Sequence, residues 1–379
     1  MPGPELPGAE LPAYPPPRSR KVFAAAHVAA APGPDGTEVI DWESTIRFRA
    51  YLWAHGFGVA EAMDTAQRGM GPLGLSWPQA RELIIRSAAA RAGALACGAG
   101  TDQLADGEQH PLGAIIDAYA EQVAFVQSAG AQVILMASRA LAARARGPED
   151  YLAVYGELLA QAERPVILHW LGEAFDPALR GYWGSGDFEA AAGCVLELIE
   201  RAGDRVDGVK LSVLDAGRER WLRERLPAGV RLYTGDDFNY AELIRGDATG
   251  PGAGQSGAGQ YSDALLGAFA AITVPAAAAL AALDRGDLAG YDAAMAPTVP
   301  LSRAIFEPPT YHYKVGVAFL AWLNGLQPHF AMLGGLQRQR PAGHLIRVYE
   351  LAAAAGALTD PELAAGRMGV MLARSAENA

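Results

Sequence analysis

One lysine inside an apolar stretch is the residue whose type and setting point most clearly to chemistry. Lys210 lies in Arg205–Asp215 (RVDGVKLSVLD), where valine and leucine favour a β-strand. The chain has three lysines among its 31 basic residues, so most of its cations are arginines. A desolvated lysine can lose its proton and attack a carbonyl carbon to form a Schiff base, whereas arginine stays charged. From these residues alone, a strand-end lysine that reaches solvent or forms a salt bridge is an equal alternative.

Polar residues also stand at or just after the ends of the other predicted strands. In a barrel of parallel strands these ends meet on one face, where barrel enzymes bind and convert their substrates. We therefore predict a site at that face. The candidates, in chain order, are Asp64 and Thr65, Thr101 and Asp102, Ser138 and Arg139, His169 and Trp170, Lys210 and Ser212, and Tyr233, Asp236 and Asp237.

Several of these residues have both a functional and a structural interpretation. His169 could act as a general acid or base because an unperturbed imidazole titrates near neutral pH, or it could be a core histidine. Arg139 could bind a carboxylate or phosphate through two parallel hydrogen bonds, or it could be a surface cation. Asp236 and Asp237 could cap the following helix, and we expect Asp237 to do so.

A metal site is a weaker alternative. Asp64, Asp102 and His169 offer oxygen and nitrogen ligands for a divalent metal, but their spacing forms no tight ligand motif. Cys97 and Cys194 are too few for a disulfide framework and are expected to be buried free thiols. We predict no cofactor, with a divalent metal left open.

The elements that must position these residues alternate regularly along the chain. Eight apolar runs, each followed by an amphipathic segment, predict parallel strands buried on both faces and crossover helices. The predicted fold is α/β, a TIM (β/α)8 barrel with a C-terminal helical extension. We assign residues 1–20 to a disordered Pro-rich tail, 21–286 to the barrel and 287–379 to the helical region. The predicted strands lie in Lys21–Ala31, Gly58–Thr65, Ala94–Thr101, Gln132–Ala137, Pro165–Trp170, Arg205–Asp215, Val230–Thr234 and Asp263–Ile272.

Composition limits the partners and the location. A net charge of −11 argues against nucleic acid and anionic membranes, which attract basic surfaces. Ala264–Leu283 has no charged residue, but Pro275 divides it, so we predict a strand and a helix instead of a membrane span. The first 20 residues contain seven prolines and no apolar signal core, so we expect a cytoplasmic protein. The Gly-rich segment 246–260 lacks phosphate-loop spacing and is interpreted as a flexible loop.

Several segments, in this order, resemble the dihydrodipicolinate synthase / N-acetylneuraminate lyase superfamily, as a divergent branch. VDGVKLS resembles the strand-six motif whose lysine forms a Schiff base. LSWPQARELI, ALACGAGT, PVILHW, LYTGDD, DALLGAFAAI and TYHYKVGVAFLAWLNG resemble other parts of the family, so the similarity extends over residues 23–333. It implies that Lys210 condenses with a 2-oxo acid or another carbonyl compound. It also implies assembly as a homo-dimer or homo-tetramer.

The departures from the family pattern concern the substrate and the proton relay. The Gly-Thr-Thr-Gly-Glu segment that holds a pyruvyl carboxylate is replaced by MDTAQ, in which Thr65 remains. The strand-four tyrosine appears as Arg139, and the strand-five Tyr-Asn pair as His169-Trp170. We therefore expect His169 or Tyr233 to transfer protons, and Arg139 or Thr65 to anchor an anionic group.

Three functions are open from the sequence. The first is a Schiff-base (class I) aldolase, lyase or dehydratase that acts on a small 2-oxo acid or sugar-derived acid through Lys210. The second is a metal-assisted isomerase or lyase that uses Asp64, Asp102 and His169. The third is a barrel that binds a small molecule without catalysis. In the first, Asp64, Thr101, Asp102, Ser212 and Asp236 complete the substrate-binding set.

Overall fold

The computed structural model describes residues 14–69, 73–105, 107–246 and 261–377. Eight parallel strands close into a barrel, and its first and last strands pair with each other. This confirms the predicted TIM barrel, and two further strands, Ala30–Pro32 and Glu38–Ile40, form a separate antiparallel hairpin. The strands are β1 (Val22–Ala25), β2 (Ala30–Pro32), β3 (Glu38–Ile40), β4 (Gly58–Glu61), β5 (Leu95–Ala99), β6 (Gln132–Leu135), β7 (Val166–Leu171), β8 (Val206–Ser212), β9 (Arg231–Thr234) and β10 (Asp263–Leu266).

Helices cover the barrel and continue beyond it. The helix expected at Trp77 begins there, and Ser76 and Gln79 cap its first turn reciprocally. The helices are α1 (Trp42–Ala54), α2 (Trp77–Ala89), α3 (Leu112–Ser128), α4 (Arg139–Arg144), α5 (Pro148–Gln161), α6 (Phe188–Ala202), α7 (Ala216–Arg223), α8 (Tyr240–Arg245), α9 (Thr273–Asp284), α10 (Leu288–Met295), α11 (Thr298–Ile305), α12 (Lys314–Leu323), α13 (Ala342–Ala354) and α14 (Pro361–Glu377).

Most strands are shorter than the runs predicted from the sequence, and two of them differ most at their carboxyl ends. The run Lys21–Ala31 is divided, because β1 ends at Ala25 and the hairpin strand β2 begins at Ala30. The run Asp263–Ile272 is strand only as far as Leu266, and a 3-10 turn follows. Residues beyond both strand ends remain buried. Apolar character therefore extends past the strand hydrogen bonding, which a hydrophobic pattern alone does not reveal.

Two apolar layers hold the barrel together. A small inner cluster fills its centre and includes Phe23, Ile134, Ile167 and Leu265. A larger outer cluster lies between the strands and the helices and continues into the C-terminal helices. Successive side chains of a strand point to opposite faces of the sheet. Alternate residues of each strand therefore belong to the inner and to the outer cluster.

The N-terminal segment is ordered from residue 14, which corrects the prediction of a disordered tail through residue 20. The Tyr14 amide donates to the Ala54 carbonyl at 2.8 Å, and the Ser19 amide donates to the Asp284 carboxylate at 2.8 Å. The buried Arg20 donates through Nε to the Ile244 carbonyl at 2.7 Å. Residues 1–13, and residues 247–260 of the predicted flexible loop, lie outside the described residues.

The uncharged window Ala264–Leu283 contains β10, a 3-10 turn and α9. It therefore consists of a strand and a helix as predicted, although the strand is shorter. In the described part of the chain, no helix is both long and apolar enough to cross a membrane.

The C-terminal helical region returns to the carboxyl end of the barrel. Gly267, just after β10, lies against this region: a Cβ added there would be 3.2 Å from the Tyr313 ring. The Arg340 guanidinium donates to the carbonyls of Glu307, Pro308 and Pro309. These contacts fix the turn that leads into α12, and this turn delivers Tyr313 and Lys314 to the barrel.

Candidate active site

Lys210 is buried near the carboxyl end of β8. It pairs in register with His169 of β7 on one side and with Tyr233 of β9 on the other. Its side chain is 5% exposed, and its amine makes no hydrogen bond with any described residue. Burial lowers the pKa of Lys210, and the negative charges of Asp64 and Asp237 oppose this shift. Such an environment favours the neutral amine that Schiff-base formation requires.

Asp64 follows β4 on a short 3-10 turn and is the principal anion of the site. Burial alone would raise its pKa, but the positive charges of Lys210 and Lys314 lower the pKa of Asp64 to about 2. Its Oδ2 accepts a hydrogen bond from the Tyr313 hydroxyl at 2.5 Å. Its Oδ1 is buried and has no hydrogen-bond partner in the described structure. Asp64 is therefore ionised, with one oxygen ready to accept a further hydrogen bond.

Tyr313 and Lys314 are site residues that the sequence did not identify. The Tyr313 hydroxyl lies 2.8 Å from the Thr65 hydroxyl, so Thr65, Tyr313 and Asp64 form a continuous hydrogen-bonded chain. Burial raises the pKa of Tyr313, and the charge of Asp64 adds to that effect, so the phenol stays protonated. The rarity of lysine was the signal that could have drawn attention to Lys314.

His169 is 2% exposed, with Nε2 3.3 Å from the Ser212 hydroxyl oxygen. Burial lowers the pKa of His169 well below its usual range, and the charge of Lys210 lowers it further. The expectation of an imidazole that titrates near neutral pH is therefore wrong. His169 is neutral at pH 7, so it can accept a proton but does not serve there as a charged acid.

A cavity of about 950 Å³ opens at this end of the barrel. Asp64, His169 and Lys314 are among its lining residues, and Lys210 itself is not. Lys210 pairs in register with His169, and its charge acts on Asp64, so Lys210 neighbours this part of the lining. The ion pairs Arg68–Asp102 and Arg139–Asp176 also line the cavity, together with the apolar residues Leu75, Trp77, Leu104, Leu171, Phe175 and Leu179.

Two arginines at the cavity are held by acidic neighbours. Arg139 Nε donates to Asp176 Oδ2 at 2.6 Å. Arg68, which the sequence analysis did not select, forms an ion pair with Asp102 and also donates to Gln122. Arg139, Thr101 and Asp102 therefore line the cavity as predicted, but both Arg139 and Asp102 already have charged partners.

Tyr233 does not enter the site. Its hydroxyl donates to Oδ2 of Asp207, the second residue of β8, at the amino end of the barrel. The ring fills the barrel centre and directs the hydroxyl away from the cavity. The expectation that Tyr233 transfers a proton is therefore not supported, and Tyr313 supplies the phenol instead.

The two aspartates after β9 differ from expectation. Asp236 Oδ1 accepts from the amides of Phe238 and Asn239, so Asp236 stabilises the turn before α8 and does not line the cavity. Asp237, expected to cap that helix, accepts from the Ala268 amide at 3.0 Å. Burial raises the pKa of Asp237 to about 8. Its nearness to Lys210 makes Asp237, and not Asp236, the site residue of the pair.

The alternative metal set is not assembled. Among the described residues, no group of three or more His, Cys, Asp or Glu side chains could hold a metal ion. Asp102 is bound by Arg68 and Gln122, and the positive charges of Lys210 and Lys314 act on Asp64. Both cysteines are free and buried, as expected.

Comparison with known proteins matches the chain to one family and to one fold. The family described as "Protein of unknown function (DUF993)" matches residues 6–376. A search of curated proteins gives no match. The dihydrodipicolinate synthase from Oceanobacillus iheyensis is 14% identical, with a TM-score of 0.63, and the match covers 89% of this chain and 97% of that one.

Two further structures agree. A putative dihydrodipicolinate synthetase from Pseudomonas aeruginosa has 17% identity and a TM-score of 0.61, and the match covers 86% of this chain and 99% of that one. The enzyme from Aquifex aeolicus has 12% identity and a TM-score of 0.61, with coverage of 90% and 100%. The resemblance expected from the sequence is thus confirmed at the level of the fold. The chain belongs to the DUF993 family and has the fold of the dihydrodipicolinate synthases.

Proposed function

We propose that this protein is a class I lyase of the aldolase or dehydratase type, in which Lys210 forms a Schiff base with a small oxo acid. The observation that carries the proposal is the setting of Lys210. Its amine is buried, makes no hydrogen bond with a described residue, and lies beside the ionised Asp64 and the neutral His169. An unpartnered buried amine is costly for stability and is typical of a functional group.

The reaction begins when the neutral amine attacks the substrate carbonyl carbon. A proton moves from nitrogen to the carbinolamine oxygen, a second proton from the Tyr313 phenol lets that oxygen leave as water, and a protonated imine remains. Cleavage of a carbon–carbon bond, or loss of a proton, at the carbon next to the imine sends the bonding electron pair toward the iminium nitrogen and gives an enamine. Protonation of the enamine and hydrolysis of the imine release the product and restore Lys210.

The residues around Lys210 have the protonation states that these steps need. Neutral His169 can accept a proton from the attacking amine or from the substrate. The Tyr313 phenol, which is hydrogen-bonded to Asp64 and Thr65, can give a proton to a leaving oxygen or to the enamine. Asp64 stabilises the positive charge of the iminium.

The direct test is reductive trapping. Purified protein is treated with sodium cyanoborohydride and a panel of 2-oxo acids and small aldehydes, and the adduct is located by intact and peptide mass spectrometry. We expect an adduct on Lys210 with at least one oxo acid. Lys210→Met should give none, whereas Lys21→Met, which changes the ion-paired lysine at the other end of the barrel, should be trapped like the wild type.

Two results would overturn the assignment. An adduct on Lys314 in place of Lys210 would move the covalent step to the other buried lysine. Folded protein that gives no adduct with the whole panel would favour the ligand-binding barrel, or chemistry without a covalent lysine. The expected dimer or tetramer remains a prediction, which sedimentation velocity measures independently.

A further inference from the structure

We propose that the substrate is a 2-oxo acid with one carboxylate, bound by Lys314, and an apolar group larger than the methyl of pyruvate. This inference rests on the proposed function of Lys210. It concerns which carbonyl compound reaches that lysine.

The first observation is the position of Lys314. It is the first residue of α12, is 5% exposed and lines the cavity. Among the described residues its ammonium has no hydrogen-bond or ion-pair partner and lies 4.7 Å from the centre of the Tyr313 ring. A cation at the amino end of a helix is disfavoured by the helix dipole, and the Tyr313 ring and the charges of Asp64 and Asp176 oppose this effect without a direct hydrogen bond or ion pair to Lys314. An anionic ligand would supply such a direct partner.

The second observation is the balance of charge around the cavity. Arg68 is paired with Asp102, and Arg139 with Asp176. Among the described residues, Asp64 acts on both Lys210 and Lys314. Asp237 also acts on Lys210, but burial raises the pKa of Asp237 to about 8, so it is largely protonated at pH 7. One further negative charge is therefore accommodated when both lysines are protonated, which matches a single carboxylate.

The third observation is that the two lysines share one neighbour. Both lysines act on the Asp64 carboxylate, Asp64 and Lys314 line the same cavity, and His169 of that cavity pairs in register with Lys210. We therefore place the anionic group of the substrate at Lys314 and its carbonyl carbon at Lys210. A carboxylate directly bonded to the reacting carbonyl satisfies this arrangement. The substrate is thus a 2-oxo acid, and its carboxylate site comes from the C-terminal helical region.

The fourth observation is the size and lining of the space beyond the lysines. A cavity of about 950 Å³ lies at the upper end of the range of roughly 300–1,000 Å³ for small-molecule sites, far more than pyruvate fills. Its lining includes Trp77, Phe175 and several leucines. Burial of an apolar group there adds about 25 cal/mol for each Å² removed from water.

Four probes separate these features. 4-Phenyl-2-oxobutanoate carries both the carboxylate and an apolar group, pyruvate lacks the apolar group, 3-phenylpropanal lacks the carboxylate, and acetaldehyde lacks both. The half-saturation concentration for cyanoborohydride trapping on Lys210 is measured for each probe. For the wild type we expect the half-saturation concentration of 4-phenyl-2-oxobutanoate to be at least about tenfold below that of pyruvate. A gain in affinity of this size is what the burial of a few methylene groups contributes.

The proposed binding of a carboxylate by Lys314 is tested by the ratio of two half-saturation concentrations. In Lys314→Met, the half-saturation concentration of 4-phenyl-2-oxobutanoate relative to that of 3-phenylpropanal should rise at least about tenfold, the loss expected for a charge-assisted hydrogen bond. Lys314→Arg, which keeps the charge, should raise this ratio less. A general disturbance of the site would change both probes together and leave the ratio unchanged.

The outcomes separate this inference from the proposed function. Adducts on Lys210 with all four probes, with an unchanged ratio in Lys314→Met, would overturn the role of Lys314 and leave the Schiff-base function standing. Equal half-saturation by pyruvate and 4-phenyl-2-oxobutanoate would overturn the apolar group. The absence of any adduct would remove the proposed function and this inference with it.

Discussion

The two ends of the barrel treat their charges differently. At the amino end, the Asp207 carboxylate accepts from the Lys21 ammonium at 3.1 Å and from the Tyr233 hydroxyl. There too, Arg231 donates to Asp263 at 2.8 Å. At the carboxyl end, Lys210 and Lys314 have no hydrogen-bonding partners among the described residues, and one oxygen of Asp64 is unsatisfied. The lysine at the amino end is therefore ion-paired, whereas the two buried lysines at the carboxyl end are not, although Arg68–Asp102 and Arg139–Asp176 form ion pairs there too.

This difference separates the stabilising role of a charge from its functional role. The three lysines divide accordingly: Lys21 belongs to the paired network, whereas Lys210 and Lys314 belong to the unpaired set. A buried charge that is paired stabilises the fold only when its partner remains, and an unpaired one costs stability that function must justify.

The largest expected effect on stability is at the amino end. Arg231→Met should lower the free energy of unfolding by about 3 kcal/mol, because it leaves the buried Asp263 carboxylate without its ion-pair partner. Urea denaturation measures this change. Trapping on Lys210 by the folded variant should be retained.

Two further variants test whether charges at the two ends of the barrel contribute differently to stability. Lys210→Met should change the free energy of unfolding by less than about 1 kcal/mol, since the lost attraction to Asp64 offsets the removal of a buried charge. Arg86→Met, which breaks an exposed pair with Glu82, should cost no more than about 0.5 kcal/mol. A loss at Lys210 as large as that at Arg231 would contradict the division between the two ends.

The next effect concerns a buried acid whose hydrogen bonds come from hydroxyl groups. Glu219 accepts from Ser262 at 2.7 Å and Thr234 at 2.9 Å, and burial raises its pKa from 4.5 to about 8. The folded protein therefore keeps a proton that the unfolded chain loses, so stability decreases as pH rises from 4.5 to 8. Between pH 6 and pH 8 the loss should be about 2 kcal/mol.

Glu219→Gln removes the titrating group and should reduce this loss. Urea denaturation at both pH values measures it, and Glu224→Gln, at an exposed position on the same side of the barrel, is the matched control. An equal pH dependence in the wild type and Glu219→Gln would show that the pKa of Glu219 is not raised.

The smallest effect tests the space around Lys210. Gly235 follows β9, and a Cβ added there would lie 2.2 Å from Ser212 Oγ, 2.9 Å from the Leu211 carbonyl oxygen and 3.1 Å from Lys210 Cε. Gly235→Ala should therefore displace Lys210 and slow trapping by about tenfold, a change of about 1.4 kcal/mol in barrier. The trapping rate is measured at saturating oxo acid.

Gly156→Ala is the control for this variant, because Gly156 lies within α5 and an added Cβ there meets nothing within 4 Å. It should leave the trapping rate unchanged and stabilise the helix slightly. An unchanged rate in Gly235→Ala would show that Lys210 does not depend on this packing.

The sequence predicted the barrel because the pattern of strands and helices is local. Continuous apolar runs of four to eight residues indicate buried parallel strands, and Lys210 interrupts one of them, so its importance was visible. The sequence did not predict the ends of β1 and β10, because the apolar composition continues past the strand hydrogen bonds.

Which residues meet at the site depends on contacts between distant parts of the chain, and the sequence did not predict these contacts. Tyr233 and Tyr313 are both tyrosines near a lysine or a strand end, yet only Tyr313 faces Asp64. Lys314 belongs to a helical region far along the chain from β8. The expectation that the site is built from barrel residues alone therefore omitted two of its charged or hydroxyl groups.

The turn held by Arg340 affects how the two parts of the chain can be combined. Because this turn brings Lys314 to the cavity and Tyr313 to Asp64, a barrel cut at residue 286 would retain Lys210 but lose both of these residues. A hybrid of this barrel with the C-terminal region of another barrel would likewise keep Lys210 without the phenol that donates to Asp64 and without the second buried lysine.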